Sequence, residues 1–139
     1  MLLWLNGAFG VGKTATARQI VEGSPGQRLF DPELVGLMLQ ASLSDHQFQD
    51  FQEMPAWRAL VPRVAAEICR QSGEELVAVQ TVLVEGIWRE LRERFEGLGI
   101  DVFHVVLDIE GSALRERIAG DALEADAKAW RLSHIEAFL

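Results

Sequence analysis

Near the amino terminus, Gly7-Ala8-Phe9-Gly10-Val11-Gly12-Lys13-Thr14 sets glycines, a lysine and a hydroxyl at a spacing that suits one task, the holding of a phosphate chain. Glycines let a backbone turn its N–H groups inward around an anion without Cβ clashes. Lys13 can reach β- and γ-phosphates, and Thr14 beside it can ligate Mg²⁺. The surroundings agree. Residues 1–6 form a short apolar run suited to a buried parallel strand, and residues 13–22 have the pattern of a helix. A helix starting there aims the positive end of its dipole at a bound anion. A chance glycine-rich turn is the plain alternative, and it leaves the strand–loop–helix context unexplained.

A second pattern overlaps the first. Gly10-Val11-Gly12-Lys13-Thr14-Ala15 fits G-x-G-x-x-[GA], with Asp31 about 20 residues on, as in dinucleotide-binding oxidoreductases. There the first glycine follows the strand directly. Here Gly7 adjoins Asn6, Gly10 lies further on, and a dinucleotide gives the Lys-Thr pair no work. The phosphate loop is the better reading.

Composition narrows the classes. The chain has 139 residues, 49% apolar and 24% charged, which suits a single domain over residues 1–139. With 13 Lys+Arg against 21 Asp+Glu the net charge is −8, so no nucleic-acid partner is expected. A small basic pocket still suffices for one nucleotide. Cys69 is the single cysteine, and His46, His104 and His134 lie far apart, which excludes an internal disulfide and a Cys-based metal cage. A reducing, cytoplasmic setting is the expectation. The apolar first residues lack the basic segment of a secretory signal. The longest uncharged apolar stretch, residues 76–84, is about half of what spans a bilayer as a helix, so no transmembrane segment is expected. Oligomeric state leaves no mark in the sequence.

The elements that must position the loop alternate in type. A short strand is predicted over 28–30. Asp31-Pro32 then starts a helix to about residue 42, with a capping side chain and proline at the first helical position. Residues 44–53 read as a loop or broken helix. Pro55 opens a helix to about residue 71, which Pro62 should kink. Residues 73–75 form a turn, and 76–83 is the strongest strand pattern. Over 85–96 an amphipathic helix puts Ile87, Leu91 and Phe95 on one face, with Arg89/Glu93, Glu90/Arg94 and Arg92/Glu96 as i,i+4 pairs. A buried strand over 101–107 and helices over 112–119 and 123–138 follow. This alternation predicts an α/β fold, a parallel sheet with helices on both faces and ligands at the strands' carboxyl ends.

Three sets of residues carry a family likeness. They are Leu3-Trp4-Leu5-Asn6-Gly7-Ala8-Phe9-Gly10 with Gly12-Lys13-Thr14; Phe30-Asp31-Pro32-Glu33 with Gly36; and Asp50-Phe51-Gln52 followed by Pro55-x-Trp57-Arg58. In order and spacing they resemble the tunicamycin resistance proteins, well over about residues 1–90 and loosely beyond. The Asn-Gly-Ala-Phe-Gly and Pro-x-Trp-Arg blocks are more specific than the phosphate loop itself. The resemblance implies a P-loop NTPase fold of the small-kinase type, akin to nucleoside monophosphate, shikimate and chloramphenicol kinases, with strand order 2-3-1-4. It implies ATP and Mg²⁺ as cofactors and a small molecule such as a nucleoside antibiotic as substrate, either phosphorylated or held without catalysis. It places the acceptor over about residues 31–72 and a lid over about 115–130. The family pattern carries one more strand and helix after Phe138, so the fifth strand and adenine-cupping loop are expected to be missing here.

Within that frame the residues take roles. Asp31, at the carboxyl end of the second strand, suits a carboxylate that orients or deprotonates an acceptor hydroxyl; a plain helix cap is the structural alternative. Glu33 is a weaker candidate. Trp57 and Arg58 open a helix beside the acceptor, where arginine binds an anionic group and tryptophan stacks on a ring or sugar. A core tryptophan with a solvated arginine is the alternative. Phe48, Phe51 and Met54 line an apolar pocket or simply pack. No acid follows the strand over 76–83, where Gln80 and Thr81 stand, and Glu85 comes late. Mg²⁺ therefore falls to Thr14, Asp31, waters and phosphates. The resemblance assigns Arg115 or Arg117 to the nucleotide and the transferring phosphoryl, with Arg117 preferred; Arg131 is another source. Salt pairing with Glu116 and Asp121 is the alternative, and it suits Arg115. Residues 128–139 are mildly amphipathic, which allows a peripheral membrane or partner contact; an ordinary packed helix is the simpler reading.

Overall fold

The computed structural model describes residues 1–8, 10–47 and 49–107. Phe9, Phe48, Arg115, Arg117, Arg131, the lid region, both helices expected after residue 110 and the amphipathic stretch over 128–139 lie outside the described residues.

The first strand, β1 (Leu2–Gly7), leads through the glycine loop into α1 (Lys13–Gly23). Next come β2 (Gln27–Phe30), α2 (Pro32–Ser42), a 3₁₀ turn (Phe51–Glu53) and α3 (Pro55–Ser72). The described chain closes with β3 (Glu75–Val79), α4 (Glu85–Gly97) and β4 (Val102–Leu107). The four strands pair in parallel in the order β2-β3-β1-β4, the order expected of a small kinase. In a dinucleotide-binding sheet β2 adjoins β1. Here β3 separates them, which removes the oxidoreductase alternative.

Alternation along β1 builds both faces. Leu3 and Leu5 pack with Ala17, Ile20 and Val21 of α1. Leu2 and Trp4 join the larger core with Val61 and Ala65 of α3 and Leu91 and Phe95 of α4. Trp4 lies 5.4 Å from Trp88 and 5.9 Å from Phe95, centroid to centroid. Its indole N–H donates to the Gln80 carbonyl at 3.1 Å. Burying a side chain of this kind contributes about 1.5–3 kcal/mol.

Three expectations need correction. β3 stops at Val79 rather than running to residue 83, because its register with β1 ends at Leu5↔Val79. Beyond that point the Asn6 side chain captures Val82 instead. β4 is not a buried strand: only Val102 is buried, and Phe103 is 57% exposed. Among the described strands it has a neighbour on one edge only. In α4, Arg89 pairs with Glu85 at 2.8 Å and not with Glu93, whereas Arg92–Glu96 and Arg94–Glu90 form as expected. Helix α3 continues across the buried Pro62 as one element.

Candidate functional site

The glycine loop sits at the carboxyl end of β1, between the strands β3 and β4. Its three glycines adopt the left-handed half of conformational space, with φ of 138°, 83° and 95° at Gly7, Gly10 and Gly12. L side chains rarely adopt such angles. At Gly7 a Cβ would also fall 2.4 Å from the Leu107 carbonyl oxygen. Gly12 precedes α1 with no side chain capping that helix and no acid in its first turn. The positive end of α1 therefore meets no carboxylate of its own.

Lys13 is buried, and its ammonium donates to the carbonyls of Gly7 at 3.0 Å and Ala8 at 2.8 Å. A buried charge needs such acceptors, so the lysine is folded along the loop that a phosphate would enter. Thr14 is exposed on the first turn of α1, while the Thr16 hydroxyl donates to the Gly12 carbonyl at 2.8 Å. This cradle of positive-φ glycines, lysine and uncapped helix start fits a nucleotide's terminal phosphates.

Two polar residues to which the sequence assigned no supporting role, Asn6 and Thr81, complete the loop's support. Asn6 is buried, and its Oδ1 accepts from Gly7 N and Val82 N, each at 2.8 Å. Its amide nitrogen donates to the Val82 carbonyl and lies 3.1 Å from His104 Nε2. The His104 ring stacks on Trp88 at 4.0 Å. Burial and then the Arg92 charge push its pKa below the ordinary 6.5, so a neutral Nε2 can accept from Asn6. Thr81, 5% exposed, donates its hydroxyl to the Gly7 carbonyl at 2.7 Å. The signal for both was faint: a polar residue at the carboxyl end of an apolar run.

On the acceptor side the structure separates the expected residues. Asp31 stands at the end of β2 and caps α2, its Oδ1 accepting from Glu33 N at 2.9 Å. β3 lies between it and the loop strand. Trp57, expected as a stacking surface, is 0% exposed, with its indole N–H on the Pro32 carbonyl at 3.0 Å. A ring with no open face cannot stack on a ligand; Trp57 ties α3 to the start of α2. Arg58, expected to bind an anion, pairs with Glu90 at 2.9 Å and donates to the Gln52 carbonyl at 2.6 Å. Phe51 is half-buried against the core, and Met54 is buried. Gln52 links the two sides: its amide donates to Asp50 Oδ2 at 3.0 Å and to the Thr81 carbonyl at 3.4 Å. No cluster of three His, Cys, Asp or Glu among the described residues would hold a metal ion.

One open cleft lies on α3, lined by Arg63, Val64, Glu67, Ile68 and Gln71. That stretch leads into the start of β3, at the amino-terminal end of the parallel strands, opposite the loop. Among the described residues no helix is long and apolar enough to cross a membrane.

A family model described as an AAA domain matches residues 2–138. No curated protein sequence matches the chain. Among solved structures, the tunicamycin resistance protein of Deinococcus radiodurans is 28% identical with a TM-score of 0.76, covering 97% of this chain and 79% of that one. The APS kinase of Mycobacterium tuberculosis, in complex with AMPPNP and APS, is 25% identical with a TM-score of 0.58, covering 96% and 76%. A gluconokinase from Sinorhizobium meliloti 1021, 20% identical with a TM-score of 0.66 over 99% and 74%, shares the fold.

Proposed function

Since the chain belongs to the AAA-domain family and has a P-loop kinase-like fold, we propose that it is an ATP-dependent phosphotransferase acting on a hydroxyl of a small molecule. A tunicamycin-like nucleoside antibiotic is the first candidate, supported by the Deinococcus neighbour. The observation that carries this reading is Lys13 lying along a positive-φ glycine loop at the uncapped start of α1.

The loop amides and the start of α1 bind the β- and γ-phosphates of ATP. Lys13 exchanges the Gly7 and Ala8 carbonyls for phosphate oxygens, and Thr14 holds Mg²⁺. The ion supplies charge neutralisation on those oxygens when bound. Asp31 receives the acceptor's proton as the acceptor oxygen bonds to the γ-phosphorus. The bond from that phosphorus to the β–γ bridging oxygen breaks and ADP leaves. Arg117 is the proposed partner of the transferring phosphoryl group. Phe51 contributes apolar wall, while Trp57 and Arg58 brace that side from within. A cytoplasmic site of action, where ATP is plentiful, goes with this reading.

A second reading, ATP-dependent capture of the drug without transfer, draws on Gln80 and Thr81 standing where an acid would follow β3. Incubation with Mg²⁺, ATP and tunicamycin separates the two. Phosphotransfer gives the drug a mass gain of one phosphate, capture retains it unmodified, and the absence of both outcomes removes the antibiotic as ligand. Asp31→Asn should abolish transfer while ATP binding persists; transfer retained in that variant removes Asp31 from the base role.

A further inference from the structure

The Gly7 carbonyl receives two side-chain donors, Lys13 Nζ at 3.0 Å and the Thr81 hydroxyl at 2.7 Å. A carbonyl oxygen has two lone pairs, so both bonds coexist. Only one of these donors has further work if the loop binds phosphate. In that reading Lys13 turns from the Gly7 carbonyl toward phosphate oxygens, and a buried carbonyl that loses a partner carries a desolvation penalty. Building on the phosphotransferase reading, we infer that Thr81 is a positioning residue whose hydroxyl keeps Gly7 satisfied while Lys13 moves to the nucleotide.

The segment around Thr81 is fastened for this purpose from several directions. Gln80 N donates to the Leu5 carbonyl at 3.2 Å, and the Gln80 carbonyl receives the Trp4 indole. Val82 is bound through both its N–H and its carbonyl by the Asn6 side chain. The Thr81 carbonyl itself receives the Gln52 amide. The receiving end is equally constrained. Gly7 N donates to Asn6 Oδ1, and no Cβ fits at that position. The hydroxyl and the carbonyl thus meet with little freedom to drift. The Gln52 contact also joins Thr81 to the acceptor side.

The effect falls on nucleotide affinity more than on the stability of the free protein. Without nucleotide, Lys13 still serves Gly7 after the hydroxyl is removed. With Lys13 turned to the nucleotide, the valine variant leaves that oxygen without either of the side-chain donors it has in the free protein.

Calorimetric titration of the whole chain with Mg²⁺ and the non-hydrolysable analogue AMPPNP tests this on wild type, Thr81→Val and Thr81→Ser. Valine keeps the volume and removes the hydroxyl; serine keeps the hydroxyl. Affinity should fall about tenfold in the valine variant and return in the serine variant. The melting temperature of nucleotide-free Thr81→Val should stay near wild type. Thr81→Ala carries the same expectation where valine impairs folding. Equal affinity in all variants, or lost melting temperature with unchanged affinity, overturns the role given to Thr81 and leaves the phosphotransferase reading standing. A wild-type chain that binds no AMPPNP overturns both.

Discussion

At the end of β1 one amide takes over the work of a neighbouring strand. Asn6 pairs with both backbone groups of Val82, accepts from Gly7 N and touches His104. A neutral imidazole suits that last contact, and His104 is held neutral by burial and by the Arg92 charge. Its folded pKa lies below the ordinary value of about 6.5. Above that pH both folded and unfolded rings are neutral. As pH falls below it, the unfolded chain takes up the proton first, so stability drops until the folded pKa is passed. Thermal melts at about pH 7.5 and 5.5 should show a smaller acid-side loss for His104→Gln than for wild type. An equal loss in both would mean that the ring does not contribute.

The element scale decides how the acceptor side is built. Helix α2 approaches the 3₁₀ turn at Gly36, where a Cβ would stand 2.3 Å from the Phe51 ring. A glycine inside a helix costs about 1 kcal/mol relative to alanine in an exposed host, so here the contact outweighs propensity. Gly36→Ala should lower the unfolding free energy by about 1–3 kcal/mol, measured by denaturant titration. Adding Phe51→Leu should recover part of the loss, because the two positions share one space. Trp57 performs the matching task between α3 and α2 through the Pro32 carbonyl. Its burial shows why a tryptophan next to an arginine at a helix start is ambiguous in sequence: both belong to the bracing of this region.

At the scale of the whole molecule, the four parallel strands among the described residues bring the ends of β1, β3 and β4 around one loop, and the comparisons agree on the kinase-like fold. If that loop is the nucleotide site, ligand binding stabilises the entire cooperative unit. At 100 times its Kd a nucleotide adds about 2.7 kcal/mol. ATP with Mg²⁺ should therefore raise the melting temperature by several degrees, NAD should not, and Lys13→Met should abolish the ATP effect. A shift with NAD alone would contradict the topology argument against a dinucleotide.

The loop motif and the strand–helix alternation were legible in the sequence, because each is written in local spacing. Glycines that must take positive φ, a proline after a capping aspartate and β-branched apolar runs leave little choice to the backbone. The strand order was legible only through the family likeness. Which partners Thr81, Asn6, Trp57 and Arg58 take was decided by packing. Each acts across many residues of chain, with Asn6 reaching Val82, Thr81 reaching Gly7 and Arg58 reaching Glu90. Hydrogen bonds of that span depend on which surfaces the fold presses together, and no local spacing encodes them.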